Sequence, residues 1–292
     1  MKIVVTGSLG NVGKPLATDL ANQGHDVIVI SSKEEKRKDI EQIGAKAAIG
    51  SIEDVNFLES AFEGANAIFA LIPPNMLEAD PRAYYKRIAN NYANAVRKTG
   101  VKRLVQLSSV GADLDSGTGF ILGSHDAEEI FNSLDGVSVT NLRPGYFYVN
   151  LFGLADMVKH MGFIATNYGG DTKFPMVDPA DIATVAAEEL SKSGGEKVVY
   201  ISGEDITANE AAKKLGEAIG KPNLEWKKID NEQMTAGLSQ SGMPDVVIKN
   251  FVEMGHAIAT GALREDYDKH QPIIGKVKLK DFAPKFAAAV NG

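Results

Sequence analysis

Cysteine is missing from all 292 residues. That excludes a disulfide framework, a thiolate metal site and a cysteine nucleophile. Metal-ligand spacing is missing too, since the five histidines are scattered and no two stand four residues apart. A basic surface is lacking. The net charge is -7, and the one basic cluster, Lys33 to Lys38, carries Glu34 and Glu35 within it. Neutralising a phosphate backbone calls for clustered Lys and Arg, so nucleic acid is not an expected partner. No apolar run is long enough to span a bilayer, and the chain opens on a strand-like run with no signal-peptide pattern. The cytoplasm is the expected compartment, with no membrane partner. Repeats and low-complexity segments are also absent.

What is present is ordinary in bulk and specific in one place. Hydrophobic residues at 44% and charged residues at 24% suit a soluble globular chain. The specific place is Thr6-Gly7-Ser8-Leu9-Gly10-Asn11-Val12-Gly13, directly after the apolar run Ile3-Val4-Val5. Leu16, Ala17, Leu20 and Ala21 follow at helical spacing, so the order is strand, tight glycine turn, helix. This puts a helix N-terminus, with its unpaired N–H groups and positive dipole end, where a pyrophosphate can sit. Gly7 would permit the turn, Gly10 the approach of a phosphate, and Gly13 close packing of helix on strand.

The same alternation continues. Strands are expected at Asp26–Ile30, Ala45–Ile49, Ala67–Ile72, Arg103–Leu107 and Val137–Leu142. Helices are expected to about Gly44, then at Asp54–Phe62, Arg82–Thr99 and Asp126–Leu134. Such alternation implies an α/β fold, a doubly wound parallel sheet with ligands at the C-terminal strand ends. The second half is less regular. It reads as helices at Pro179–Ser191, Ala208–Ile219 and Asp245–Thr260, with short strands near Val198–Ile201 and Leu224–Lys228. We divide the chain into a dinucleotide-binding Rossmann domain over 1–145 and a smaller α+β substrate lobe over 146–292, with segments of the lobe returning to the sheet.

An acidic residue at the end of the second strand would accept hydrogen bonds from the ribose of NAD. Here that place holds Ser31, Ser32 and Lys33, with Lys36 and Arg37 one turn on. Small polar and basic residues leave room and charge for a 2′-phosphate, which favours NADP over NAD.

Three motifs in fixed order carry a family resemblance. They are Thr-Gly-x-x-Gly-x-x-Gly at the start, Ser108-Ser109-Val110-Gly111-Ala112, and Arg143-Pro144-Gly145-Tyr146-Phe147-x-x-Asn150. Val177-x-x-x-Asp181-Ile182-Ala183 and Gly203-x-x-x-Thr207-x-x-Glu210 follow as later landmarks. Together they resemble the NmrA-like group of the atypical short-chain dehydrogenase/reductase superfamily. The resemblance spans nearly the whole chain and implies a Rossmann core holding NAD(P) under a small C-terminal lobe. It implies that Gly7, Leu9, Gly10, Asn11, Val12 and Gly13 hold the pyrophosphate and that Ser31, Ser32 and Lys33 meet the adenosine ribose. It further implies that Leu71, Ile72, Pro73, Ser108 and Ser109 lie near the nicotinamide, with Pro144, Tyr146 and Phe147 along its carboxamide side. Members include quinone reductases and non-catalytic redox-sensing regulators.

Two departures stand out. The Gly-Asp that usually follows the third strand is Gly50-Ser51, and none of the eight tyrosines has a lysine four residues later. The superfamily's Tyr-x-x-x-Lys proton-donor pair is therefore missing; Ile121 and His125 occupy the matching helix positions. A missing general acid forfeits about a hundredfold to ten-thousandfold in rate on a ketone. A quinone differs, because hydride addition leaves a delocalised anion that solvent can protonate. The expected function is therefore NAD(P)H-dependent reduction of a small planar substrate such as a quinone or conjugated carbonyl, with Ser108 and His125 as candidate catalytic residues. The alternative is an NAD(P)-sensing regulator that binds a protein partner. A homodimer is left open. Tyr146, Phe147 and Tyr148 are candidates to stack a planar ring, Phe120 joins Tyr146 and Phe147 in an apolar and aromatic wall, and Val247, Phe251, Met254 and Ile258 form one face of the late helix. The carboxylate pairs Glu128-Glu129 and Glu188-Glu189 are adjacent on helices, so neither pair can share a site.

Overall fold

A computed structural model describes residues 1–292. The first half alternates strand and helix: β1 (Lys2–Val5), α1 (Gly13–Asn22), β2 (Asp26–Ser31), α2 (Arg37–Gln42), β3 (Lys46–Ile49) and α3 (Val55–Phe62). Then come β4 (Ala67–Ala70), α4 (Pro81–Thr99), β5 (Arg103–Leu107), α5 (Ile121–Asn132) and β6 (Ser138–Pro144). Beyond them lie β7 (Tyr146–Phe147), α6 (Ala155–Met161), β8 (Ile164–Thr166), β9 (Lys173–Val177), α7 (Pro179–Leu190) and β10 (Val198–Ser202). The chain closes with β11 (Glu204–Thr207), α8 (Ala208–Ala218), β12 (Trp226–Lys228), α9 (Asn231–Gln240), α10 (Asp245–Thr260), β13 (Ile273–Ile274) and α11 (Leu279–Asn291).

Eight strands form one sheet in the order β13-β10-β6-β5-β4-β1-β2-β3. From β3 through β6 the pairings are parallel, as strands buried on both faces and joined by helices require. The order reverses between β1 and β4. That is the switch point of a doubly wound sheet, where the loops part and a ligand crevice opens at the strand C-termini.

By contacts the chain forms two compact units. One holds 1–109, 123–143 and 182–199; the other holds 110–122, 144–181 and 200–292. In the first unit, β1 and β4 are buried throughout or nearly so, and Phe62, Tyr92 and Phe131 pack ring on ring beneath them. Helix α4 is set at both ends by local chemistry. Asp80 accepts from the Ala83 N–H at 2.9 Å, Pro81 takes the first turn, and Gly100 closes the helix in the left-handed region at φ 71°. The second unit carries a three-stranded sheet, β11-β9-β7, and a two-stranded one, β12-β8. Val247 and Ile258 of α10 are buried there, the core role of an apolar helix face.

One boundary differs from the sequence expectation in a way that matters. The helix expected at 126–134 begins at Ile121. Gly123 lies within the first turn of α5, and it is glycine that fits there, since a Cβ would come within 2.5 Å of the Tyr85 ring. Asp126 stands in the second turn of α5 and is buried. It takes Arg82 Nε at 2.5 Å and Nη2 at 2.8 Å, with Lys86 at 3.4 Å. Burial alone would raise the Asp126 carboxyl, but the hydrogen bonds and charges from Arg82 and Lys86 outweigh it and hold it below its ordinary value. A carboxyl depressed on folding adds stability above its unfolded pKa of about 4 and loses it as pH falls through the lower folded value. Asp126→Asn should therefore melt below the parent at neutral pH, with the gap closing as pH falls below about 4. Arg82 is part-exposed, so added salt should shrink that gap. Melting curves from neutral to acid pH check this; a gap that stays constant contradicts it.

Candidate active site

The glycine turn has the geometry its sequence calls for. Gly7 sits at φ 91° and Ser8 at φ 55°, two successive residues in the left-handed region. A Cβ on Gly7 would lie 2.9 Å from the Leu71 side chain, so glycine satisfies both the backbone and the close approach of the β4 loop. Thr6 locks the two strand ends: its hydroxyl meets the Phe69 and Leu71 carbonyls at 3.1 and 3.0 Å and the Leu71 N–H at 2.8 Å. Tyr92 adds a hydroxyl to the Leu71 carbonyl at 3.1 Å. A Cβ on Gly13 would collide with the Ser8 carbonyl, so this glycine closes the turn on itself rather than packing helix on strand. The first amide to bond back is Lys14, to the Gly10 carbonyl at 3.0 Å. The N–H groups before it, at the positive end of α1, remain for an anion. Gly10 and Asn11 are exposed, Leu9 is half-buried and Val12 is buried in the core. These residues fit a pyrophosphate.

Ser31, Ser32 and Lys33 divide into a latch and a surface. Ser31 is buried; its hydroxyl pairs with that of Ser8 at 3.0 Å and accepts the Lys33 N–H at 3.3 Å, joining the end of β2 to the glycine turn. Ser32 and Lys33 are exposed beside it. The basic run that follows is largely paired internally: Arg37 Nε holds Glu34 at 2.6 Å and Lys36 holds Asp39 at 3.4 Å. Ser32 and Lys33 are therefore the exposed groups of this trio at the end of β2. Ile72 is buried and Pro73 half-buried beyond Leu71.

At the end of β5 the structure builds a network that sequence reasoning missed. The Ser108 hydroxyl donates to Glu128 Oε1 at 2.5 Å. Arg143 grips the same carboxylate with two bonds, Nε to Oε1 at 2.9 Å and Nη2 to Oε2 at 2.7 Å. All three residues are buried. The adjacent pair Glu128-Glu129 indeed does not share a site, for Glu129 is exposed. The signal available was Arg143 itself: a cation at the end of a buried strand requires a buried anion. His125 lies half-buried, one turn before Glu128 on the same face of α5. It stands in the second turn of that helix, not at the helix start. Ser109 is half-buried next to Ser108.

The remaining candidates belong to the second unit. Pro144 accepts the Val110 N–H at 3.1 Å and is buried. Tyr146 packs on Phe174 at 5.6 Å and Tyr168 at 6.4 Å, with Trp226 behind both. Burial, with Tyr168 alongside, pushes the Tyr146 hydroxyl well above its ordinary pKa and makes it a poor acid at neutral pH. Phe147 is half-buried; Tyr148 is fully buried against Phe282 at 5.7 Å and is core. Phe120 meets Phe251 edge to face at 5.0 Å. A groove of about 530 Å³ between α9 and α10 is lined by polar groups including Asn231, Thr235, Lys249 and His256, and by none of the residues above.

The sequence model of the NAD(P)H-binding family matches residues 7–193, from the glycine turn past the end of α7. The chain belongs to the NAD(P)H-binding family. A (4-alkanoyl-5-oxo-2,5-dihydrofuran-3-yl)methyl phosphate reductase of Streptomyces griseus is 28% identical over 98% of both chains. An NAD(P)H azoreductase of Xenophilus azovorans is 26% identical over 83% of this chain and 82% of its own. Among solved structures, the NADPH complex of the quinone oxidoreductase QOR2 of Escherichia coli superposes with a TM-score of 0.81. It shares 22% identity and covers 97% of this chain and 99% of its own. The resemblance to the NmrA-like group agrees with these findings. Relatives named as reductases support an NAD(P)H-dependent reductase over a non-catalytic regulator. No helix is long and apolar enough to cross a membrane.

Proposed function

We propose that the protein reduces quinones or other conjugated carbonyls by direct hydride transfer from NADPH. What carries the reading is the state of the Ser108 hydroxyl, whose O–H is already engaged in donating to Glu128 Oε1 at 2.5 Å. Together with the missing Tyr-x-x-x-Lys pair, this leaves neither Ser108 nor a tyrosine–lysine pair to protonate an alkoxide. Bound reduced nicotinamide supplies a hydride. The chain's own part is to hold the pyrophosphate on the α1 amides, to leave Ser32 and Lys33 for the 2′-phosphate, and to fix the reacting atoms in register. A substrate that delocalises the negative charge needs no positioned acid, and solvent or His125 can return the proton. The Streptomyces relative points the same way, because its named substrate carries a ring double bond conjugated to carbonyls.

The test is NADPH oxidation against a quinone, an unsaturated lactone and an isolated ketone. The first two should be reduced at least about a hundredfold faster than the ketone, the span a missing general acid accounts for. Equal rates on all three would contradict the proposal. So would an absence of turnover despite cofactor binding.

A further inference from the structure

The buried network at the end of β5 fixes more than a side-chain position. Ser108, Glu128 and Arg143 are 6%, 5% and 6% exposed, so solvent does not share their hydrogen bonds. Arg143 donates to both carboxylate oxygens and cannot accept. Glu128, held by that bidentate cation, is an acceptor only. The Ser108 proton therefore has one place to go, and it points there at 2.5 Å. A hydroxyl has one proton and two lone pairs, so what Ser108 can still offer a ligand is lone pairs.

We propose that Glu128 and Arg143 are positioning residues that hold Ser108 as an obligate hydrogen-bond acceptor at the C-terminal end of β5, and that its donor is an N–H of the nicotinamide carboxamide. This rests on the reading above that the nicotinamide lies at this strand end. The carboxamide is the part of that ring system which carries N–H donors. A quinone oxygen is an acceptor and could not satisfy another one. The network thus assigns Ser108 to the cofactor and not to the substrate carbonyl. It also sets which amide orientation the ring adopts. Reversing the polarity would need a donor in place of the carboxylate, which Glu128→Gln supplies.

The experiment compares NADPH with its 3-acetylpyridine analogue, in which a methyl ketone replaces the carboxamide and no N–H remains. Dissociation constants are measured by calorimetry without substrate, for the parent protein, Ser108→Ala and Glu128→Gln. The parent should hold NADPH about five- to tenfold tighter than the analogue, the value of one hydrogen bond lost on one side. Ser108→Ala should bring the ratio close to one. Glu128→Gln can donate its amide to Ser108 and free the serine proton toward the ligand, so its ratio should fall to about one or invert in favour of the ketone. That variant leaves a buried guanidinium short of its anion; should it not fold, Ser108→Ala, which removes only a hydroxyl, decides the matter. A merely structural network would leave the ratio in Ser108→Ala at the parent value, and that result overturns the proposal. Equal binding of both dinucleotides by the parent overturns it as well. Quinone turnover by the parent, followed separately, reports on the proposed function, whereas the binding ratio needs no turnover.

Discussion

Gly10→Glu should abolish measurable dinucleotide binding while leaving the fold as stable as the parent. The affinity loss should exceed about a hundredfold, or roughly 2.7 kcal/mol. Three features of the turn make binding and stability separate here. Gly10 is exposed and, unlike Gly7, is not in the left-handed region, so its backbone accepts a side chain. A Cβ at this position meets only the Gly7 carbonyl, at 3.3 Å, far looser than the 2.2 Å contact a Cβ on Gly13 would make with the Ser8 carbonyl. The new carboxylate lands before the first turn of α1, where the helix dipole and the amides ahead of Lys14 welcome a negative charge. The glutamate then occupies the ground a pyrophosphate needs and repels it. Gly10→Ala separates the two effects, since it adds bulk without charge and should cost only a few-fold. Calorimetric titration with NADPH, beside a melting curve, checks both variants. Retained affinity in Gly10→Glu would remove the glycine turn as the phosphate site.

Arg103→Met should cost about 3–5 kcal/mol of folding stability, the range for breaking a buried ion pair from one side. Arg103 starts β5 and is 2% exposed. It donates to Glu189 Oε2 at 2.8 Å, the Glu189 carbonyl at 3.1 Å, Thr140 Oγ1 at 2.8 Å and the Ser138 carbonyl at 3.2 Å. Methionine fills much of the volume but leaves Glu189, itself buried, without its buried counter-charge. Lys192 still reaches Glu189 Oε1 at 2.6 Å, which places the expected loss at the lower end of the range. The double variant Arg103→Met with Glu189→Leu leaves no buried charge and should recover a large part of the loss. Urea unfolding midpoints measure each. A single variant as stable as the parent would show that the ion pair is not what holds β5 and α7 together. Neither residue touches the glycine turn, so cofactor affinity of the folded protein should be unchanged.

The parts of the molecule that were legible from sequence are those with local causes. The turn from Gly7 to Gly13 was readable because backbone conformation and helix start are set within a few residues. Strands β1, β2, β4 and β5 were readable as apolar runs between punctuating residues. The late helix α10 was expected at Asp245–Thr260, and those are its bounds. Other features depend on distant neighbours. Strand β9 runs through Pro175, which argues against a strand until its pairing with β11 and β7 is known. Helix α11 contains Pro284, a usual breaker, yet Leu279, Phe282, Phe286 and Val290 bury its apolar face. Gly123 and Ser124 hid the start of α5, because the Tyr85 ring that makes glycine necessary lies on another helix.

The candidate site shows the same division. Ser31 stood as a ribose contact by position; it is buried and its hydroxyl oxygen accepts from Ser8 and Lys33, while Ser32 and Lys33 remain exposed. Ser108 stood as a catalytic candidate, and its meaning changes once Glu128 is beside it. No spacing rule links residues 108, 128 and 143, which meet only because β5, α5 and β6 are adjacent in the fold. What a hydroxyl can do depends on where its proton goes, and that is a tertiary fact.

The most direct measurement follows deuterium from NADPH labelled at carbon 4 of the nicotinamide into an unsaturated lactone acceptor. Direct hydride transfer should deliver the label from one face of the ring to the β-carbon of the acceptor, where a carbon–deuterium bond retains it. With a quinone, whose new O–H groups exchange with water, the same chemistry should register as slower oxidation of the labelled cofactor. Product free of deuterium from either labelled face, or tight NADPH binding with no oxidation by any conjugated acceptor, would contradict hydride transfer as this protein's function.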